Sequence, residues 1–498
     1  LKNHNLTIIL GGPEVSYNAY YYLDNDLCNY VIKNEGEEAF NLLLHYLNKE
    51  INLNEIPNLY YKGGYTFSKL VDLAKSKMAY DLLDDVENKI MYIETSRGCP
   101  YSCSYCLSSI DKSVRFRNLD IVKKELQFFL DKKLPQVKFV DRTFNCKHEH
   151  AMAIWQYIYD NDNGVTNFHF EVSADILNEE ELSLLNKMRP GLVQLEIGVQ
   201  STNETTIKEI KRVMDVDKLE RIVRRIHEGQ NIHAHLDLIA GLPFEDYASF
   251  RKSFDRVYAM KPEQLQLGFL KVLKGSYMHD KAEEYKLEYL SKPPYEVLST
   301  AWLSYDDVLR LKKIEEMVEI YYNSNQFTRT LPVLLNNFEG PFAMFEELAD
   351  YYSEKGYFTN SPARVYRYQV LLNFAKEVDA ANYETYRELL TYDMYLRENL
   401  KTRPGFAIDL QLFKDDMRSF YKSEEESRRF LPDYEGYDSK QLSKMTHMEP
   451  LTEKDTFVLF DYRNRSPLTG EARTIVLRKV ENKSNDITNK YIFEEIKE

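Results

Sequence analysis

Cysteine is scarce in this 498-residue chain: there are five, an odd number, and three of them are clustered. That pattern excludes a disulfide framework as the basis of the fold and fits metal ligation in a reducing compartment. Long apolar runs are missing as well. No stretch approaches the roughly 18 residues that would cross a bilayer, and no signal peptide is visible, so the expected location is cytoplasmic. Positive charge is also short, with 65 Lys and Arg against 79 Asp and Glu and a formal net charge of −14. Binding to nucleic-acid phosphates needs a concentrated basic patch, which this balance argues against. The densest basic stretch, 208–225, holds Lys211, Arg212, Lys218, Arg221, Arg224 and Arg225. Its helical spacing and interspersed acids read as a solvated helix face.

The length suggests about three domains of roughly 150 residues each. Residue 1 is Leu, and the apolar run Leu6-Thr7-Ile8-Ile9-Leu10 leads straight into Gly11-Gly12-Pro13, so the chain is expected to begin inside a domain. Residues 1–50 read as strand, Gly-Gly turn, helix, short strand and helix, the distal half of a doubly wound α/β sheet. The second strand ends at Val31-Ile32, and Asn34-Glu35-Gly36-Glu37-Glu38 opens a helix with acids in its first turn, where they complement the helix dipole. Residues 51–89 read as a linker with hairpin character around Gly63-Gly64.

From residue 90 to about 279 short apolar runs alternate with longer amphipathic stretches, the mark of successive βα units. Strands are expected at 91–95, 137–141, 168–172, 192–198, 233–239 and 264–270, with helices between them such as 121–130 and 179–188. Six such units predict a partial (β/α)6 barrel. Residues 280–498 are rich in Tyr, Leu, Lys and Glu at helical periodicity, as in 305–322 and 365–400, with strands expected only at 456–462 and 474–480. This is a separate, mainly helical domain.

Cys99, Cys103 and Cys106 sit in Gly98-Cys99-Pro100-Tyr101-Ser102-Cys103-Ser104-Tyr105-Cys106, directly after the first barrel strand. Ligands of parallel α/β folds gather beyond the carboxyl ends of the strands, so the triplet lies at the expected mouth. Three thiolates leave one iron of a [4Fe–4S] cluster open to an outside ligand. A structural zinc site is the alternative; it normally takes four protein ligands, and the other nearby candidates, Cys146, His148 and His150, follow a further βα unit.

The C-x3-C-x2-C spacing, with Tyr105 before the last cysteine, resembles the cluster motif of the radical S-adenosylmethionine (SAM) enzymes. Two further segments support the resemblance. Leu195-Glu196-Ile197-Gly198-Val199-Gln200-Ser201 looks like the fourth-strand signature of its cobalamin-associated and porphyrin-related branches, and His235-Leu236-Asp237-Leu238-Ile239-Ala240-Gly241-Leu242-Pro243 resembles the fifth-strand segment that lies against the adenine of SAM. Gly11-Gly12-Pro13-Glu14 and Asn34-Glu35-Gly36-Glu37 resemble the turn and final-helix opening of a cobalamin-binding domain. The whole is most similar to a bacterial branch of cobalamin-binding radical SAM proteins that carries a C-terminal domain of unknown function.

The resemblance implies that Cys99, Cys103 and Cys106 bind a [4Fe–4S] cluster, that SAM chelates the open iron, and that one electron, from a donor such as flavodoxin or ferredoxin, cleaves SAM to a 5′-deoxyadenosyl radical. Tyr105, Ile239 and Gly241 would approach adenine; Glu171, Glu196 and Gln200 are the candidates for holding the rest of SAM, and Gly11 and Gly12 for cobalamin. The family's usual Gly-Gly-Glu after the second strand is replaced here by Asp141-Arg142-Thr143-Phe144, which leaves the partner of the SAM amino group open. No catalytic residue is assigned. The expected reaction is cobalamin-dependent methyl transfer to an unactivated carbon. Radical cyclisation, rearrangement or methylthiolation, and a non-catalytic iron–sulfur binding module, are the alternatives.

Overall fold

A computed structural model describes residues 6–78, 80, 83, 86–110, 112–481 and 491–496. At the N-terminal end β1 (Ile9–Gly11) and β2 (Tyr30–Ile32) pair in parallel, and β3 (Leu59–Tyr61) and β4 (Gly64–Tyr65) continue the sheet antiparallel in the order β1-β2-β3-β4. The hairpin expected around Gly63-Gly64 is therefore part of this sheet, although its residues read as a linker. Burial explains the difference: Leu59 and Ile56 are fully inaccessible and pack with Ile32 and Leu43, the latter from the helix Glu37–Leu47. The part of the expected linker at 79, 81, 82, 84 and 85 lies outside the described residues.

The barrel strands follow: β5 (Ile90–Ile93), the short pair β6 (Ser96–Arg97) and β7 (Arg115–Phe116), then β8 (Gln136–Phe139), β9 (Asn167–Val172), β10 (Val193–Gln200), β11 (His233–Ala240) and β12 (Gln264–Phe269). Six of them form one sheet in the order β5-β8-β9-β10-β11-β12, every neighbouring pair parallel, so β5 and β12 are its two edges. This is the open, partial barrel that the alternation predicted. Along β10 the odd positions Val193, Leu195, Ile197 and Val199 are buried in the layer beneath the helices, while Gln194, Glu196, Gly198 and Gln200 alternate onto the concave side. Five barrel helices start on a side-chain cap, from Asn118, Asn178, Asn203, Asp215 and Asp246. Each cap satisfies backbone N–H groups that would otherwise lack partners, and each defines where a loop at the mouth ends.

Beyond the barrel β13 (Glu288–Tyr289) and β14 (Val297–Ser299) form a small antiparallel pair, followed by a helical region. The helix expected over 305–322 is observed as Tyr305–Met317 running into a π-helical turn, Val318–Asn323. The helix expected over 365–400 is two, Tyr366–Val378 and Tyr383–Arg397. They part at Asp379, whose carboxylate accepts from Asn382 Nδ2 at 2.8 Å and Tyr386 Oη at 2.9 Å, a local alternative to the helical pattern. The region ends in a four-stranded antiparallel sheet, β15 (Thr446–Pro450), β16 (Thr456–Arg465), β17 (Ala472–Glu481) and β18 (Tyr491–Glu495), in that order. Only the two middle strands were legible in the sequence.

Barrel and helical region share one hydrophobic core that runs from Val86 to Met394. Phe254 of the barrel helix Tyr247–Tyr258 meets Phe342 edge-on, with ring centroids 5.6 Å apart, and Asp255 accepts from Phe342 N at 2.8 Å. The outer edge of β12 is covered in the same way. Asn323, on the π-helical turn, accepts from Leu265 N and donates to Leu265 O, both at 2.9 Å, as a strand neighbour would.

Candidate active site

The cysteine loop is held between β6 and β7, whose antiparallel register sets Ser96 opposite Phe116 and Arg97 opposite Arg115. At its centre the main chain of Ser104 donates to Ile210 O and accepts from Met278 N, each at 2.9 Å. Its base rests on Asp141, one of the residues that replace the family's Gly-Gly-Glu. This buried carboxylate accepts from Thr95 N (2.9 Å), Thr95 Oγ1 (2.7 Å) and Ser96 Oγ (2.6 Å). Thr143 Oγ1 stands 3.5 Å from Cys99 Sγ. Cys99 and Cys103 are buried and Cys106 is half-buried.

All three cysteines line a chamber of about 240 Å³, with Glu171, Glu196, Gln200, Arg212 and Asp237 on its other walls. The strand-end candidates named from the sequence are thus brought together with the cysteines. Arg212 places Nη1 3.8 Å from Cys103 Sγ and 3.4 Å from Tyr105 Oη, and its Nη2 donates to Gly198 O. Gln200 has φ of 71°, in the left-handed region, just after a register break in β10. A Cβ on Gly198 would fall 2.3 Å from Gln200 Nε2. A bare glycine lets that side chain lie across the strand.

Burial sets the charge pattern. It pushes the Glu171 carboxyl up to about 7, against the pull of Arg142 3.7 Å away. Asp237 lies well above the ordinary carboxylate range, through burial and then the neighbouring charges of Glu196 and Glu171. Glu196 is held low by its contact with His169, Nε2 to Oε2 3.0 Å. The chamber therefore sets two carboxyl groups raised by burial, Glu171 and Asp237, beside a buried guanidinium.

A larger cavity of about 800 Å³ adjoins it. Its walls include Tyr105, Cys106, Glu196, Gln200, Asp237 and Ile239 from the barrel and Pro13, Ser16, Tyr17 and Asn34 from the N-terminal sheet unit. Gly11 and Gly12 are not among its walls; their turn, with Gly12 at φ 92°, delivers Pro13, Ser16 and Tyr17 to it. Gly241 stands outside both cavities, at φ 92° and with room for no Cβ beside Val297 Cγ1, which would lie 2.8 Å away. The N-terminal unit is tied to the cysteine loop through Glu35 and Glu37. Arg97 reaches Glu35 at 3.3 Å and Glu37 at 2.7 Å, while Arg115 reaches Glu35 at 3.1 Å.

Two site residues escaped the sequence reading. Asp237 continues the inward row begun by His233 and His235 and was detectable from strand alternation. Arg212 was read as part of a solvated basic face. The structure corrects this, because the helix Glu204–Glu209 has ended and Lys211, at φ 55°, turns the chain so that Arg212 points inward.

The donor set suits a cluster better than a single ion. Cys146, His148 and His150 are not among the residues that line the chamber with the three cysteines. Three cysteines on one wall of a chamber that also holds a buried arginine and carboxylic acids fit a cluster with an open iron and a zwitterionic ligand beside it.

Comparison with known proteins agrees. Residues 93–257 match the Radical SAM superfamily, and this chain carries a radical SAM domain. Residues 283–465 match a family described as protein of unknown function (DUF4080), so a radical SAM domain is followed by a DUF4080 domain. It is similar to the cobalamin-dependent radical SAM methyltransferase TokK of Streptomyces tokunonensis, with 23% identity over 58% of this chain and 46% of that protein. Hopanoid C-3 methylase of Methylococcus capsulatus is 27% identical over 45% of this chain and 43% of its own length. The chain spans less than half the length of these curated relatives. Among solved structures, the cobalamin-dependent S-adenosylmethionine radical enzyme OxsB with aqua-cobalamin bound superposes with a TM-score of 0.50, covering 79% of this chain and 67% of that one. At 14% identity the likeness is one of fold. Among the described residues no helix is long and apolar enough to cross a membrane.

Proposed function

We propose that this chain is a radical SAM enzyme that uses cobalamin to methylate an unactivated carbon. The observation that carries this reading is the 800 Å³ cavity, whose walls come from both the strand ends behind the cysteine loop and from Pro13, Ser16, Tyr17 and Asn34 of the N-terminal unit. Cys99, Cys103 and Cys106 would hold a [4Fe–4S] cluster, SAM would occupy the chamber above it, and cobalamin would lie toward Tyr17 and Asn34. When bound, the cluster and SAM supply a 5′-deoxyadenosyl radical once one electron arrives from a donor such as flavodoxin or ferredoxin, and cobalamin supplies the transferable methyl group.

The protein's own part is placement. Arg212 offers the buried guanidinium that a carboxylate of SAM would meet, and it offsets negative charge at Cys103. Asp237 and Glu171, both raised by burial, ionise more readily beside an ammonium group and would hold the amino end. Gln200 lines both cavities, and Ile239 lines the larger one.

The test is anaerobic reconstitution of the purified protein with iron and sulfide, then incubation with SAM and a strong reductant. Formation of 5′-deoxyadenosine, lost in Cys103→Ala together with the iron, is the expected result. An intact cluster that leaves SAM uncleaved would overturn the radical reading. Cobalamin retained through gel filtration supports the methyltransferase; SAM cleavage by a protein that retains none would favour cyclisation or rearrangement instead.

A further inference from the structure

The concave face below the mouth is polar across several strands. Strand register sets Tyr92, Lys138, His169, Gln194 and His233 side by side, one from each of β5, β8, β9, β10 and β11. Barrel interiors are usually filled by branched apolar side chains. Here a separate cavity of about 240 Å³ opens on that row, lined by Tyr92, Lys138, Arg142, His169, Glu171 and Glu196. Arg142 and Glu196 also line both cavities of the mouth, so the three spaces adjoin.

The charges in this lower cavity do not cancel. Glu171 faces Arg142 at 3.7 Å, and Glu196 lies 3.0 Å from His169 Nε2, so each carboxylate has a neighbour of its own. Among the described residues Lys138 has no ion pair; its charge reaches Glu196 only at longer range. His169 is 8% exposed, and neither of its ring nitrogens makes a well-aligned hydrogen bond. Buried polar groups left in this state are costly unless a ligand completes them. The surplus is cationic and donor-rich, which selects an anion with oxygen acceptors.

We propose that the lower cavity binds an oxyanion, a carboxylate or phosphate carried by the substrate at a distance from the carbon that reacts, with Lys138, Arg142 and His169 as its partners. This rests on the reading that substrate enters the barrel mouth. Tyr92, at the open edge strand β5, admits the anionic end from solvent. The substrate then spans from this anchor to the cavity beside the cysteine loop, and the anchor fixes which carbon is presented there.

The probes are inorganic phosphate and acetate, titrated at constant ionic strength into the reconstituted protein while thermal unfolding is followed. A ligand that binds only the folded state raises Tm saturably. Phosphate alone, acetate alone or both giving a saturable rise identifies the anion class, provided the apparent affinity falls about tenfold or more in Lys138→Gln and in His169→Gln and is kept in Lys138→Arg. No saturable rise with either probe, or an equal rise in Lys138→Gln, overturns the subsite. The readout needs no SAM cleavage, so a silent titration in a protein that cleaves SAM removes the subsite alone.

Discussion

Replacing Asp141 separates its role as a support for the cysteine loop from any role in chemistry. Its three hydrogen bonds to Thr95 and Ser96 are charge-assisted when the group is ionised, at roughly 1.5–3 kcal/mol each. Burial pushes its carboxyl from 3.8 up to about 6, which costs the folded state about 3 kcal/mol near neutral pH. Asp141→Ala leaves Thr95 N buried without its acceptor and should cost about 1–3 kcal/mol, a fall of roughly 2–12 °C in apparent Tm for a domain of this size. Asp141→Asn keeps an acceptor for Thr95 N and turns its amide toward hydroxyls that can rotate, so its loss is near zero at pH 7. The sign of the pH effect follows from the direction of the shift. A carboxyl raised in the folded state stabilises fully below its unfolded value and loses that contribution as pH rises through about 6. Wild type should lose about 3 kcal/mol relative to Asp141→Asn between pH 4 and pH 7. Thermal unfolding across that range, with iron per chain measured after reconstitution, is the assay. An Asp141→Ala protein with wild-type Tm and full iron content would refute the reasoning, as would an Asn variant as damaged as the Ala one.

Other perturbations read other parts of the molecule. Arg212→Leu should keep the iron yet weaken SAM binding about tenfold or more, by loss of a buried charge-assisted pair; equilibrium dialysis with labelled SAM checks this, and unchanged affinity removes Arg212 from the site. Gly241→Ala should destabilise the mouth by about 1–3 kcal/mol, since it combines a positive φ with overlap on Val297; urea unfolding measures it. Asn323→Ala exposes the paired groups of Leu265 at the edge of β12 and should cost about 1–3 kcal/mol. Faster amide exchange at Leu265, without a change in iron content, is its signature.

Much of the barrel was legible because a βα repeat alternates short apolar strands with longer amphipathic helices, a pattern that composition alone displays. The cysteine loop was legible for a different reason, since its spacing is local and chemical. Arg212 was hidden because one left-handed residue, Lys211, reverses where the next side chain points, and a helical-periodicity argument carries no such information. The strand β15 contains His447, Glu449 and Pro450 among its five residues and has no strand-like composition; pairing with the buried first half of β16 creates it. Asp379 split an expected helix through its own hydrogen bonds, a choice that composition does not reveal.

The clasp of Asn323 on β12 also bears on how the protein is made. β12 lies between the two family matches, which end at 257 and begin at 283, so neither match covers it. During synthesis the sixth strand leaves the ribosome with its outer edge bare and keeps it bare until the turn at Asn323 has followed. An unpaired edge in that interval is a template for pairing with another chain. Expression of a fragment cut at the family boundary should therefore yield aggregates, while chains that extend past the π-helical turn and its packing partners should remain dispersed.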